Sequence, residues 1–366
     1  MKSAAVELEL PDAAWHRRVR RAVLNWFPRH GRKLPWREEL SAYRVWVSEI
    51  MLQQTQVSTV ERYFARFIAT FPDVRSLAAA DEADVLKQWE GLGYYRRARS
   101  MHAAAREVVA RFGGELPRDV EQLQSLPGVG RYTAGAIVSI AWDQPAPIVE
   151  ANTLRLLSRL VGLDVPAQSG IGQRALWRVA TGLLGPSRSR DLTLGLMDVG
   201  STVCTPREPD CERCPLRVEC RARATGSQDS IPVAAGGVSV TPLQQTAVVV
   251  ERRGRVLLVQ RQPGEWWSGL WDFPRYDRAD QEALRQRIAE ELGLRVTWGE
   301  AFMELRHAVT RYRISVDCHR VRATGGRLSS ERPAQWCAVS DLDRWPLTAP
   351  ARRIARRLTD SSPRAS

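Results

Sequence analysis

The sequence predicts a multidomain protein of the α plus α/β class: an all-helical domain over residues 1–224, a linker over 225–242, and a smaller α/β domain over 243–366. Three observations carry this. Apolar residues recur at helical spacing through most of the first two thirds, with Gly and Pro marking the joints. Four cysteines, Cys204, Cys211, Cys214 and Cys220, then crowd into a short stretch that closes the helical part. Beyond a segment rich in Ala, Gly and Ser the pattern changes to short β-branched runs.

Composition bounds the rest. A chain of 366 residues with 44% hydrophobic content suits two globular domains, each with its own core. A net charge of +13 points to a polyanionic partner, although an arginine-rich proteome would produce the same excess. No apolar run is long enough to cross a bilayer, so no membrane partner is expected. The stretch Met1 to Glu9 carries acids where a secretory signal would have its apolar core. A cytoplasmic protein is therefore expected, in a compartment where clustered thiols hold metal more often than they form disulfides.

In chain order, Pro11 and Asp12 open a basic amphipathic helix running to about Leu24. Arg32 to Arg37 is extended and basic. Tyr43 to Val57 reads as a helix with one acid, Glu49, in apolar company. A carboxyl desolvated among Trp46, Ile50 and Met51 has its pKa raised and can keep a proton near neutrality, as a general acid must. The plainer reading is a surface glutamate. Gln53, Gln54 and Gln56 add amides able to bond base edges. A further helix is expected from Ser76 to Trp89, with Asp81 and Asp84 suited to its start. It stops at Gly91-Leu92-Gly93-Tyr94-Tyr95-Arg96-Arg97, which fits a loop that wedges a ring between bases. Two core tyrosines beside a solvated basic face are the alternative.

Leu126-Pro127-Gly128-Val129-Gly130 is a tight turn leading into the small-residue helix that follows Arg131. Glycines let the main chain approach a ligand, and the free N–H groups at the helix start favour a phosphate. The chain re-emerges after Gln144-Pro145-Ala146-Pro147 as Ile148-Val149-Glu150-Ala151-Asn152, delivering a second acid. Helices follow at Leu154–Val161 and Arg174–Leu184. In the last part, Thr246–Val250 and Val256–Val259 form a hairpin around Arg252–Arg255. A helix spans Asp280–Leu292, and strands span Arg311–Val321 and Gln335–Val339.

The run from Leu126 to Glu150 resembles the helix-hairpin-helix of base-excision DNA glycosylases related to endonuclease III. The phrase Trp46-Val47-Ser48-Glu49-Ile50-Met51-Leu52-Gln53-Gln54-Thr55-Gln56-Val57 resembles the MutY family of adenine glycosylases. What the resemblance implies is specific. Glu49 protonates the target adenine at N7, and Glu150 stabilises the sugar cation. Trp36, Arg37, Leu52 and Asp198 form the adenine pocket. Gln53, Gln54, Tyr94, Tyr95, Gly128, Val129, Gly130 and Asn152 meet DNA, one of the two tyrosines as the wedge. Tyr132 stands where bifunctional relatives place a lysine; a phenol cannot form a Schiff base. A monofunctional enzyme is therefore expected, with Tyr132 bonded to Glu150. The family's Asp-Gly-Asn reads Glu150-Ala151-Asn152 here, and one extra methylene can misplace a carboxylate by on the order of 1 Å.

Thiolates at this spacing hold zinc or an iron–sulfur cluster. The resemblance selects a [4Fe–4S] cluster on Cys204, Cys211, Cys214 and Cys220 within a loop over 204–220. Glu290-Glu291-Leu292-Gly293 resembles the end of a Nudix box, but Arg287 stands where a metal-ligating acid belongs and Asp272 where the first glycine belongs. That argues against pyrophosphate hydrolysis. The domain is expected to recognise 8-oxoguanine, through Val309, Thr310 and Arg311 in place of the family's Phe-Ser-His. The expected protein is a monomer on mispair-containing double-stranded DNA, associated with the nucleoid. The rivals are a relative with altered base specificity and a lesion-binding protein without turnover.

Overall fold

Asp12 starts the first helix by accepting the amide of Trp15 at 2.7 Å, and comparable side-chain caps open six later helices. The computed structural model describes residues 10–234 and 240–360, which fall into two units. The signal-peptide reading of residues 1–9 and the middle of the linker, 235–239, lie outside the described residues.

The helices, in order, are α1 (Ala13–His30), α2 (Ala42–Leu52), α3 (Val57–Thr70), α4 (Val74–Ala79), α5 (Glu82–Gln88), α6 (Arg96–Phe112) and α7 (Val120–Gln124). They continue as α8 (Arg131–Trp142), α9 (Ala151–Val161), α10 (Gly170–Gly182), α11 (Ser189–Asp198) and α12 (Arg221–Thr225). Residues 1–80 and 97–237 make the first unit. Val19 and Val23 of α1, Leu156, Leu157 and Leu160 of α9, Leu176 and Val179 of α10, and Leu192 and Leu196 of α11 share one core. On α8, Gly135 has the Pro147 carbonyl where a Cβ would lie, at 2.4 Å, so the chain returning from this helix runs directly against it. That approach places Glu150 at the head of α9.

Three expectations are corrected. The helix expected over 43–57 ends at Leu52, because Gln54 turns to φ 55° and Arg97 takes the carbonyls left over at the helix end. The single helix expected over 76–89 is two, α4 and α5, because Ala80 and Asp81 are extended. The first domain is not one uninterrupted stretch, since residues 81–96 group with the second unit.

The second unit, residues 81–96 and 238–366, is built on one sheet. Its strands are β1 (Thr241–Arg252), β2 (Arg255–Gln260), β3 (Trp271–Asp272), β4 (Arg275–Asp277), β5 (Leu294–Val309), β6 (Tyr312–Gly326) and β7 (Ala334–Ala338). The main path runs β3-β2-β1-β6-β5; β1 and β6 are parallel and the other pairs antiparallel. Alternation along β1 sends Val248 and Val250 to α13 (Gln281–Leu292), and Ala247 and Val249 to α14 (Ala349–Asp360). Helices thus cover both faces, which is why the strands read as unbroken apolar runs.

Candidate active site

Ser41 caps α2, a helix nearly buried from Tyr43 to Met51. Such a helix gives any acid on it an apolar solvent. Glu49 is 4% exposed. The hydroxyl of Tyr132, in the first turn of α8, donates to Glu49 Oε2. Burial pushes the Glu49 carboxyl up to about 7; the Tyr132 bond opposes this, the charge of Glu150 adds to it, and Arg37 opposes it. The expected pairing of Tyr132 with Glu150 is corrected: its partner is Glu49. The cause is the packing of α8 against α2, which buries the phenol beside the acid, while Glu150 turns to its own helix.

Glu49 lines a narrow hollow with Trp36, Arg37 and Leu52, three residues assigned to a base pocket from sequence. Ser48 and Val57, from the same phrase as Glu49, also line it, as do Arg32, Leu34, Leu40, Val45, Ile140, Leu194 and Met197, to which sequence assigned no pocket role. Its free volume of about 30 Å³ is room for one water. Asp198 is not in this wall. It is fully buried and grips Arg37 as a two-pronged fork, 2.8 and 3.0 Å, while Arg32 bonds it through Nε at 2.7 Å and its backbone N–H at 2.9 Å. Burial alone would raise the Asp198 carboxyl; bonding and charge from Arg37, with Arg32, outweigh it and hold the group below its ordinary value. Asp198 therefore fixes the side chain that lines the pocket. Arg37 keeps one buried donor, Nε, without a protein partner.

Glu150 is the residue before α9 and caps it with its own side chain. Oε2 accepts the Asn152 N–H at 2.8 Å and its amide at 3.3 Å, and Oε1 accepts the Thr153 N–H at 2.8 Å. The Thr153 hydroxyl in turn accepts the Glu150 N–H. Arg155 holds Asn152 Oδ1 at 3.1 Å. Asn152 thus orients the second acid.

The turn ahead of α8 has the conformation its glycines permit. Gly128 sits at φ 76°, with Ser100 Cβ 2.6 Å from where its own Cβ would be. Gly130 is different: its backbone is extended and no atom lies within 4 Å of its missing Cβ. No side chain caps α8, so its leading N–H groups point past two exposed glycines. Val129 is buried and can offer only backbone to a ligand. Gln53 and Gln54 lie in the turn after α2, not on the helix; Gln53 reaches Thr133 at 3.4 Å and Gln54 is exposed. Arg97 shapes this turn, donating to the carbonyls of Ile50, Met51 and Gln53. Sequence reasoning placed that arginine at the end of a wedge loop and missed this role. The two tyrosines separate: Tyr95 is 3% exposed and Tyr94 51%, at φ 48°.

Cys204, Cys211, Cys214 and Cys220 line one small pocket. A five-residue π turn, Val199–Val203, follows α11 and delivers Cys204. Arg159 donates to Cys204 Sγ and the Leu216 N–H to Cys214 Sγ, each at 3.4 Å. Burial pushes the Cys214 thiol up to about 12, and Cys204 raises its three neighbours further. Among the described residues no three His, Cys, Asp or Glu side chains converge on a single metal ion. Four thiols around one pocket are the donor chemistry that zinc or an iron–sulfur cluster takes. Cys318 and Cys337 are buried elsewhere, as expected.

In the second unit, Thr310 and Arg311 form the tip of the β5–β6 hairpin, closed by the Val309–Tyr312 pair, with Thr310 at φ 50°. Val309 packs on the core, and Arg311 lies over the Tyr312 ring and bonds its hydroxyl at 3.0 Å. Thr310 and Arg311 are exposed and Val309 is half-buried. On α13, Arg287 reaches Glu291 and covers Tyr276, putting a cation among the acids of the degenerate Nudix box.

A buried acid, an uncapped helix after a glycine turn and a second acid heading the next helix are the working parts of a base-excision glycosylase fold. Residues 47–179 match the model of the HhH-GPD superfamily of base excision DNA repair proteins, and residues 245–357 match that of the NUDIX domain. A thermostable thymine-DNA glycosylase superposes with a TM-score of 0.54 at 28% identity, covering 58% of this chain and all of that one. The adenine DNA glycosylase of Rattus norvegicus is 39% identical over 265 residues, 70% of this chain and 51% of the relative. That of Buchnera aphidicola subsp. Schizaphis graminum is 34% identical, covering 70% of this chain and 74% of the relative. The chain belongs to the adenine DNA glycosylase family. It spans about half the length of the mammalian relatives it matches.

Proposed function

We propose that the protein is a monofunctional glycosylase that flips adenine from a mispair with 8-oxoguanine or guanine and hydrolyses its N-glycosidic bond. One observation carries this: Glu49, buried in the pocket wall, holds a proton to about pH 7. An acid in that state can protonate the departing purine at N7, since a neutral leaving group departs more easily than an anion. Arg37, fixed by Asp198, offers its Nε to the base, and Trp36 and Leu52 supply apolar walls. The pocket opens to admit a base, because its resting volume takes only a water.

Glu150 then faces the sugar as positive charge develops. Its oxygens are held by backbone donors, and the longer side chain bends back to its helix. The N–H groups opening α8 hold a backbone phosphate, Gln53 and Gln54 probe the opposite strand, and Tyr94 is the wedge. Thr310 and Arg311 read the partner base. Cys204, Cys211, Cys214 and Cys220 would hold a [4Fe–4S] cluster, whose contribution there is structural, four thiolate bonds that cross-link the loop. The net charge of +13 supports a DNA partner, and the proposed working form is a monomer on nucleoid DNA in the cytoplasm.

A duplex with one 8-oxoguanine–adenine pair tests this under single turnover. Alkali-labile breaks at the adenine are expected, without a borohydride-trapped adduct; no breaks would overturn it. Altered base specificity is favoured by Val309 and Arg311, and a panel of mispairs exposes it. Binding without turnover is favoured by the engagement of both Glu150 oxygens, and tight mispair binding with no base released would identify it.

A further inference from the structure

Residues 81–96 carry α5 and the Gly91–Tyr95 loop, and they pack as part of the second unit. One arginine of α14 contributes to that packing. Arg352, in the first turn of α14, is 9% exposed, and its guanidinium is fully directed. Nη1 donates to the Leu342 carbonyl at 2.8 Å and Asp343 Oδ1 at 3.0 Å, and Nη2 to the Trp345 carbonyl at 2.6 Å. The remaining edge, Nε and Nη2, grips both oxygens of Glu90, the second at 2.9 Å. The two carbonyls hold the guanidinium in place independently of Glu90, so the fork is preorganised for a carboxylate.

Glu90 stands directly before the loop. Gly91 and Gly93 follow at φ 97° and 73°, two joints open to glycine, and Tyr94 comes next. The buried Trp89 donates its indole N–H to the Gly93 carbonyl at 3.0 Å and closes the loop on itself. The loop base is therefore fixed at two adjacent residues, one by packing and one by an ion pair to a partner 262 residues away.

We infer that Arg352 is a positioning residue which, through Glu90, locks the base of the Gly91–Tyr95 loop to the C-terminal helix and so sets the orientation of Tyr94. The DNA role of that loop rests on the function proposed above; the lock does not. An Arg–carboxylate fork half-shielded from water adds restraint at the loop base that a neutral amide supplies only in part.

The test is amide hydrogen exchange on the full chain. In Glu90→Gln the amides of residues 91–95 exchange roughly tenfold faster while those of β1 are unchanged, as expected for one lost charge-assisted pair. Arg352→Lys, which keeps the charge but not the fork, gives a smaller increase. Asp343→Asn touches the same guanidinium through an exposed carboxylate and leaves the loop amides as they are. With duplex, Glu90→Gln weakens binding and keeps the rate at saturating DNA. Wild-type exchange across 91–95 in Glu90→Gln, or a rise spread evenly over the second unit, overturns the lock. If the wild-type protein releases no base, the enzymatic reading fails and the exchange result still decides this one.

Discussion

Glu49 and Glu150 carry the same carboxyl group into two different solvents. Around Glu49 the chain supplies apolar walls and a single phenol, so the neutral form gains. Around Glu150 it supplies three N–H donors from the start of α9, which hold the carboxyl group in place. Neither residue type nor flanking motif creates the difference. It comes from position: within a buried helix against the residue that caps α9.

Removing the acid tests the contrast most severely. Glu49→Gln should slow base release by roughly a thousandfold, the loss of a positioned proton donor, with duplex binding retained. A residual rate within tenfold of wild type would mean that the asymmetry is not catalytic. Glu150→Gln should lose about a hundredfold in rate and on the order of 1 kcal/mol of stability through the weakened cap, read by urea denaturation. Glu150→Asp separates the two, because aspartate caps helices well; stability should hold while the rate shifts by less than tenfold.

pH sharpens the comparison further. Glu49 must be protonated, so the single-turnover rate should fall about tenfold per unit above a midpoint near 7. The same group binds its proton more tightly folded than unfolded. Its stabilising contribution is therefore complete below about 4.5 and is lost as pH rises through about 7, and Glu49→Gln should flatten that part of the stability profile. The smallest effect belongs to Tyr132→Phe. Its bond lowers the Glu49 value, so removing it should move the falling limb to higher pH and change the rate at neutrality only a few-fold. A shift to lower pH would show that the phenol serves Glu150 instead.

Much of this was legible in the residues. The acid in apolar company, the glycine turn and the four thiols are local patterns, and the sheet alternation of β1 and β2 is local too. Helix ends were less so. Gln53 to Val57 reads as more helix until Arg97, more than forty residues on, claims the carbonyls at the end of α2. The partner of Tyr132 depends on how α8 meets α2, which no spacing records. β5 went unseen because its residues alternate between exposure and half-burial, with polar side chains interrupting the run. The grouping of residues 81–96 with the second unit includes a long-range ion pair, and sequence offers only an ordinary Glu and an ordinary Arg.

The tightness of the hollow beside Glu49 has a bearing on product release. Free adenine arriving from solution would have to spread those walls using only its own small surface, with no sugar or phosphate contacts to help. The liberated base should therefore be a feeble inhibitor, and the abasic strand should be what lingers on the enzyme between rounds.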